Sequence, residues 1–274
     1  MKFLCLHGMG TNSQILESQF EAIRARLPPV WDFEFFDGEN STKPFADIGD
    51  AYPGPYLCYY ADPTPAAVQS AVDTVLDVIN TEGPYDAVLG FSNGAALAAT
   101  VLAAAAERNP RDLPPFRAAV FFCSITPYRL DSGPLHLTFE GDTVVSASRG
   151  DVPAQKDEPY DLQKDPEAAG IVAELQGRKD IGWEVQPHWS KDFLLGYYPP
   201  LHGQRIHIPT VHVIGDEDRS YKEQGKRLVE LCNPRARCVI SHSGGHQFPR
   251  DAPTIAKVAR AIEDMVNRAG LQVA

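Results

Sequence analysis

Positive charge, paired cysteines and long apolar runs are all in short supply in this chain, and each shortage narrows what it does. Lysine and arginine number 25 against 36 aspartates and glutamates, a net charge of 25 − 36 = −11. A chain of that sign has no long-range attraction to nucleic acid or to an anionic membrane, so neither is expected as a partner. The five cysteines, Cys5, Cys58, Cys123, Cys232 and Cys238, are odd in number and scattered, and several fall in predicted strands or helices. They are expected as reduced core residues rather than as a disulfide or zinc framework. No segment approaches the roughly 18 consecutive apolar residues that span a membrane. The apolar run in the opening MKFLCLHG is too short for a signal peptide, and no small-residue cleavage site follows it. The expectation is a soluble, cytoplasmic protein. Repeats, low-complexity tracts and metal-ligand spacings such as H-E-x-x-H are also missing, so no metal and no cofactor is expected.

What is present is an ordinary globular composition, 43% hydrophobic and 22% charged over 274 residues, which suits one α/β domain across 1–274. The organising stretch is Tyr85 to Glu107, YDAVLGFSNGAALAATVLAAAAE. Ala87 to Phe91 is short, apolar and partly β-branched, as in a strand buried on both faces of a parallel sheet. Ala95 to Ala106 is almost all alanine and leucine, the strongest helix formers. Between them Gly90-Phe91-Ser92-Asn93-Gly94 fits G-x-S-x-G, in which a serine occupies a sharp strand-to-helix turn. Ser92 is therefore the candidate nucleophile. At a helix N-terminus, free N–H groups favour developing negative charge, and the Asn93 N–H is one candidate oxyanion donor.

The rest of the chain alternates in the same way. Strands are expected at Phe3–Leu6, Trp31–Phe36, Ala118–Ile125, Thr210–Ile214 and Arg237–Ser241, with helices at 13–27, 64–80, 220–231 and 253–268. That alternation predicts a doubly wound, mostly parallel sheet. Asp37 to Asp62 is rich in glycine, proline and aromatics without a sustained period, the kind of loop that lines a site. One segment, 128–208, is far too long for an ordinary connection and is expected to be a lid insertion before the acid-bearing strand. Its aromatics, Trp183, Trp189, Phe193, Tyr197 and Tyr198, have two readings: a small core of the insertion, or a wall facing an apolar acyl group.

Proteins with a nucleophile elbow place acid and base later in the chain, in that order. Gly215-Asp216-Glu217-Asp218 follows a strand end; Asp218 has the expected spacing for the acid and Asp216 is its rival. Ser241-His242-Ser243-Gly244-Gly245-His246 follows the last strand, and His246, on a glycine loop, is the expected base, with His242 structural. The loop after the first strand should supply the second oxyanion donor, which points to Met9.

With these residues placed, the chain resembles the fungal family of serine hydrolases, a branch of the α/β-hydrolases. The likeness lies in Leu6-His7-Gly8-Met9-Gly10-Thr11-Asn12, in Gly90-Phe91-Ser92-Asn93-Gly94 where the family has G-F-S-Q-G, in His212-Val213-Ile214-Gly215-Asp216-Glu217-Asp218, and in Gly244-Gly245-His246-Gln247-Phe248-Pro249. It spans nearly the whole chain except the insertion, which is longer than the family pattern. Asn93 in place of glutamine shortens a side chain near the site. The resemblance implies cleavage of an ester or thioester, in some members as release of a polyketide from an acyl carrier protein and in others as carboxylesterase action. An acyltransferase or cyclase using the same three residues, and a non-catalytic small-molecule receptor, are the other readings. Carrier proteins are acidic, so docking one on a chain of −11 needs a local basic patch. Arg108, Arg111, Arg117 and Arg129 are the candidates for it, with ordinary surface charge as the alternative.

Overall fold

The computed structural model describes residues 1–45, 48–140, 143–149, 166–177 and 189–270. In chain order its elements are β1 (Lys2–Leu6), α1 (Ser13–Arg24), β2 (Asp32–Phe36), β3 (Asn40–Ser41), α2 (Ile48–Ala51), β4 (Leu57–Cys58), α3 (Pro65–Glu82), β5 (Ala87–Phe91), α4 (Asn93–Arg108) and β6 (Ala118–Phe122). There follow β7 (Leu135–Glu140), β8 (Thr143–Arg149), α5 (Pro166–Gly177), β9 (Trp189–Phe193), α6 (Pro199–His202), β10 (Thr210–Gly215), α7 (Lys222–Leu231), β11 (Arg237–His242) and α8 (Ala252–Arg268).

The main sheet has the order β11-β10-β6-β5-β1-β2, and every pairing in it is parallel. All five residues of β5 and of β6 are buried, because helices cover both faces. One core layer sets Phe3, Phe33 and Phe122 against α1 and α8; the other sets Leu4, Leu6, Val88 and Phe121 against α3 and α4. This is the doubly wound α/β-hydrolase sheet expected from the alternation of strands and helices. Helix starts follow local chemistry: the side chains of Asn12, Thr64 and Asp251 each accept a backbone N–H in the first turn of α1, α3 and α8. No helix among the described residues is long and apolar enough to cross a membrane.

The segment 128–208 carries a small antiparallel sheet, β8-β7-β9, which sequence reading did not assign. It packs onto the body over α3 and α4. Leu135, Leu137, Phe139, Phe193 and Tyr197 share one core cluster with Val68, Val72 and Leu102, and Leu194 N–H donates to the Pro63 carbonyl. Phe193 and Tyr197 thus add to the main core, and the Tyr197 hydroxyl donates to Glu107 at 2.7 Å. Trp183 lies outside the described residues. The buried carboxylate of Glu167 on α5 faces His202 at 3.1 Å and Arg129 at 3.4 Å. Arg129 is therefore committed inside the fold, and Arg117 donates to the Ala269 carbonyl near α8. Arg108 and Arg111 sit at the far end of α4, about 24 Å along a 16-residue helix from Ser92. The four arginines do not form one basic patch beside the serine.

Candidate active site

Ser92 stands between the end of β5 and the first residue of α4, with φ 50° and ψ −112°. A non-glycine residue with positive φ is strained and persists only where its surroundings over-determine it. Here the Ser92 N–H donates to Phe122 of the neighbouring strand at 3.0 Å, while its carbonyl accepts the Ala96 N–H at 3.0 Å. The flanking glycines permit the crowding: a Cβ at Gly94 would stand 2.3 Å from the Leu6 oxygen, and one at Gly90 2.5 Å from the Ala95 Cα.

Two loops at adjacent strand ends bring the candidate acid and the candidate base. Asp218 follows β10 and His246 follows β11, and the loops approach so closely that a Cβ at Gly215 would lie 2.1 Å from the Gly245 oxygen. His246 Nε2 is 2.8 Å from Ser92 Oγ, and His246 Nδ1 is 2.6 Å from Asp218 Oδ2. Asp218 is 4% exposed, and its other oxygen accepts the Tyr221 N–H at 3.0 Å. A carboxylate only accepts, so Nδ1 carries the imidazole proton and Nε2 faces the serine hydroxyl as an acceptor. The ring is wedged by Tyr221, Phe91 and Phe45, with centroids 4.6, 5.3 and 5.5 Å away.

The rivals are placed elsewhere. Asp216 is exposed and pairs with Lys222 at 2.9 Å, whose hydrogen bond holds its carboxyl below the usual range. His242 is buried, its Nδ1 accepts the Gly244 N–H at 3.1 Å, and burial lowers its pKa. It shapes the glycine loop and does not reach the serine.

The N–H of Asn93, at the first position of α4, has no intrahelical acceptor. Neither it nor the Met9 N–H donates to another described residue. The Asn93 side chain turns away from the serine: its Oδ1 accepts the Tyr59 N–H at 3.3 Å. A cavity of about 560 Å³ opens beside Ser92 and His246, walled by Met9, Phe45, Ile48, Tyr52, Phe91 and Phe248. Its outer wall is α2 and its flanks, part of the loop-rich stretch 37–62. No described residue of 128–208 lines it.

Two contacts escaped sequence reading. Tyr221 N–H fixes the acid, and Cys123 lies beneath acid and base with φ 44°, its thiol 3.4 Å from the Gln247 carbonyl. Ligand atoms of Cys123, Asp218 and His246 lie within 4.8 Å of one another, the only such group of three among the described residues. Asp218 and His246 are already bonded to each other, and burial, aided by the Asp218 charge, pushes the Cys123 thiol up to about 12. A neutral thiol beside a committed pair is a poor metal set. The five cysteines form no disulfide among the described residues, and all but Cys238 are buried.

Likeness to known proteins supports a serine hydrolase. A family model described as Serine hydrolase (FSH1) matches residues 1–258. The chain is similar to the esterase FPY3 of Fusarium mangiferae, with 33% identity over 276 residues and 98% of each chain covered. It is similar to the hydrolase FUB4 of Fusarium oxysporum f. sp. lycopersici, with 29% identity over 97% of this chain and 98% of that protein. The esterase alnB of Emericella nidulans is also 29% identical, over 96% of this chain and 95% of that one. Among solved structures, a monoacylglycerol lipase of Paleococcus ferrophilus aligns over 97% of this chain and 94% of its own at 15% identity and a TM-score of 0.49.

Proposed function

The chain belongs to the serine hydrolase (FSH1) family, and on that premise we propose that it hydrolyses an ester or thioester of an apolar acyl group through Ser92, His246 and Asp218. The observation that carries the proposal is the line of contacts Ser92 Oγ, His246 Nε2, His246 Nδ1 and Asp218 Oδ2, at 2.8 and 2.6 Å, opening on a largely apolar cavity. His246 takes the serine proton as Oγ attacks the carbonyl carbon, and the resulting oxyanion lies between the N–H groups of Met9 and Asn93. His246 returns the proton to the leaving alcohol or thiol. Water, deprotonated by the same imidazole, then releases the acid and restores the serine. Asp218 holds the imidazole in the tautomer that makes Nε2 the base. A cavity of about 560 Å³ suits an acyl group of drug-like size. Release of a polyketide from an acyl carrier protein rests on the family resemblance alone.

The test is a panel of p-nitrophenyl esters and acyl-N-acetylcysteamine thioesters of increasing chain length, with Ser92→Ala as control. Turnover of thioesters that depends on Ser92 and rises with chain length supports an acyl-releasing role. Activity confined to short esters favours a general carboxylesterase. Labelling of Ser92 by a fluorophosphonate without turnover of either series points to a specialised acyl acceptor, and a chain that is neither labelled nor active sinks the proposal.

A further inference from the structure

We propose that His7 is a positioning residue, whose imidazole fixes the Gly8–Met9 peptide so that the Met9 N–H faces the oxyanion formed at Ser92. The proposal rests on the hydrolase reading and extends it one layer outward. His7 is the first residue after β1, is 0% exposed, and does not line the cavity. Its hydrogen bonds fix its tautomer. Nε2 accepts the Gly38 N–H at 2.9 Å and therefore carries no proton. Nδ1 does carry one, and donates it to the Gly8 carbonyl at 2.7 Å.

The same carbonyl oxygen accepts the Thr11 hydroxyl at 2.7 Å and the Thr11 N–H at 3.3 Å. Three donors converge on one oxygen. In a trans peptide the carbonyl and the following N–H point in opposite directions. Holding the Gly8 oxygen on the His7 side therefore aims the Met9 N–H to the other side. Met9 is on the serine side, since it lines the same cavity as Ser92 and His246, and a Cβ at Gly8 would stand 3.4 Å from the Ser92 Cβ. An oxyanion donor is effective when it is oriented before charge develops, which is what such a clamp provides.

The clamp is itself held. The His7 N–H donates to the Tyr59 hydroxyl at 3.0 Å, and that hydroxyl donates to the Phe36 carbonyl at 2.7 Å. Asp37 is the charged group facing the ring, 4.0 Å from Nε2. Burial outweighs it and lowers the His7 pKa, so the ring stays neutral and Nε2 remains an acceptor for Gly38.

Two substitutions separate the ring's two nitrogens. His7→Asn retains a side-chain N–H at the Nδ1 position, and His7→Gln retains a group at the Nε2 position only. Both, with Thr11→Val, are compared with the wild type for kcat and KM on a p-nitrophenyl ester and for thermal unfolding. Inhibition is measured with a trifluoromethyl ketone, whose hemiketal oxygen occupies the oxyanion position, and with the product acid. His7→Gln is expected to lower kcat and trifluoromethyl ketone affinity together by about 10²-fold, near the cost of losing one oxyanion donor, with KM and product binding within about threefold. Thr11→Val and His7→Asn should each stay within about tenfold of wild type, since the side-chain N–H of residue 7 that clamps the Gly8 carbonyl remains in both and is lost only in His7→Gln. Equal losses in His7→Asn and His7→Gln, or parallel losses of ketone and product affinity, would overturn the clamp and leave His7 as a part of the fold. Wild-type turnover that survives Ser92→Ala overturns the hydrolase reading instead, and that control comes first.

Discussion

Replacing Asp218 by asparagine tests the site through a single proton. The side chain has two fixed neighbours, the Tyr221 N–H on Oδ1 at 3.0 Å and His246 Nδ1 on Oδ2 at 2.6 Å. An asparagine must offer its one oxygen to the Tyr221 N–H, which only donates, so its NH₂ group faces His246. Nδ1 then has to accept, the imidazole proton moves to Nε2, and an N–H is aimed at the serine hydroxyl in place of a lone pair. Geometry is kept while the base is lost. The expected fall in kcat is roughly 10³–10⁴-fold, the scale seen when such a triad is forced into the wrong tautomer, or about 4–5.5 kcal/mol of barrier. Asp216→Asn, at an exposed residue paired with Lys222, should leave kcat within about twofold, as surface pairs contribute little. The assay is steady-state hydrolysis of a p-nitrophenyl ester, with near-ultraviolet circular dichroism to confirm packing. If Asp218→Asn kept more than about a tenth of the activity, or Asp216→Asn were the more damaging change, the tautomer argument would fail.

Other expectations follow from the same structure. Gly94→Ala brings a Cβ to 2.3 Å from the Leu6 oxygen and 2.5 Å from the His7 oxygen, both backbone atoms; it should destabilise by about 1–3 kcal/mol or more in urea unfolding, and an unchanged midpoint would refute the crowding. His212, buried with Arg237 nearby, has its pKa lowered from 6.5 to about 3. The unfolded chain takes up that proton first, so stability is full above pH 6.5 and falls as pH drops toward 3, by about 2 kcal/mol between pH 6.5 and 5. His212→Gln should flatten that part of the urea midpoint's pH dependence, and an equally steep profile would count against it. Ile48→Trp, in the cavity wall, should cut kcat/KM for long acyl esters by about tenfold or more while sparing acetate; equal losses on both would place acyl binding elsewhere.

Much of this architecture is legible in the chain because it is written in local patterns. Ala87–Phe91 and Ala95–Ala106 declare a strand and a helix by composition, and the structure extends the helix only to Asn93–Arg108. Thr210–Ile214 and Arg237–Ser241 lie one residue short of the observed strands. Ser92, Asp218 and His246 are recognisable because each follows a strand at a spacing set by sheet geometry. What escaped has no local signature. The sheet of β7, β8 and β9 depends on pairing Leu135 with Phe193, across 58 positions that no period links. That Phe45 and Tyr52 wall the cavity, or that Cys123 underlies the acid, depends on which loops meet at the sheet's end. Nor does His7 announce its contacts locally, since its partner Gly38 lies 31 positions away.

The position of the long insertion has a consequence for how the protein is made. β6 ends at Phe122 and its neighbour β10 begins at Thr210, so the long segment 123–209 joins two adjacent strands. Ribosomes deliver chains from the N-terminus at about 5–20 residues per second, so Ser92 emerges seconds before Asp218 and His246. During that interval the chain holds a serine with neither base nor orienting acid. On the proposed mechanism reactivity is therefore switched on by the last two strands of the sheet, and a chain that ends within 128–208 holds the serine without either partner.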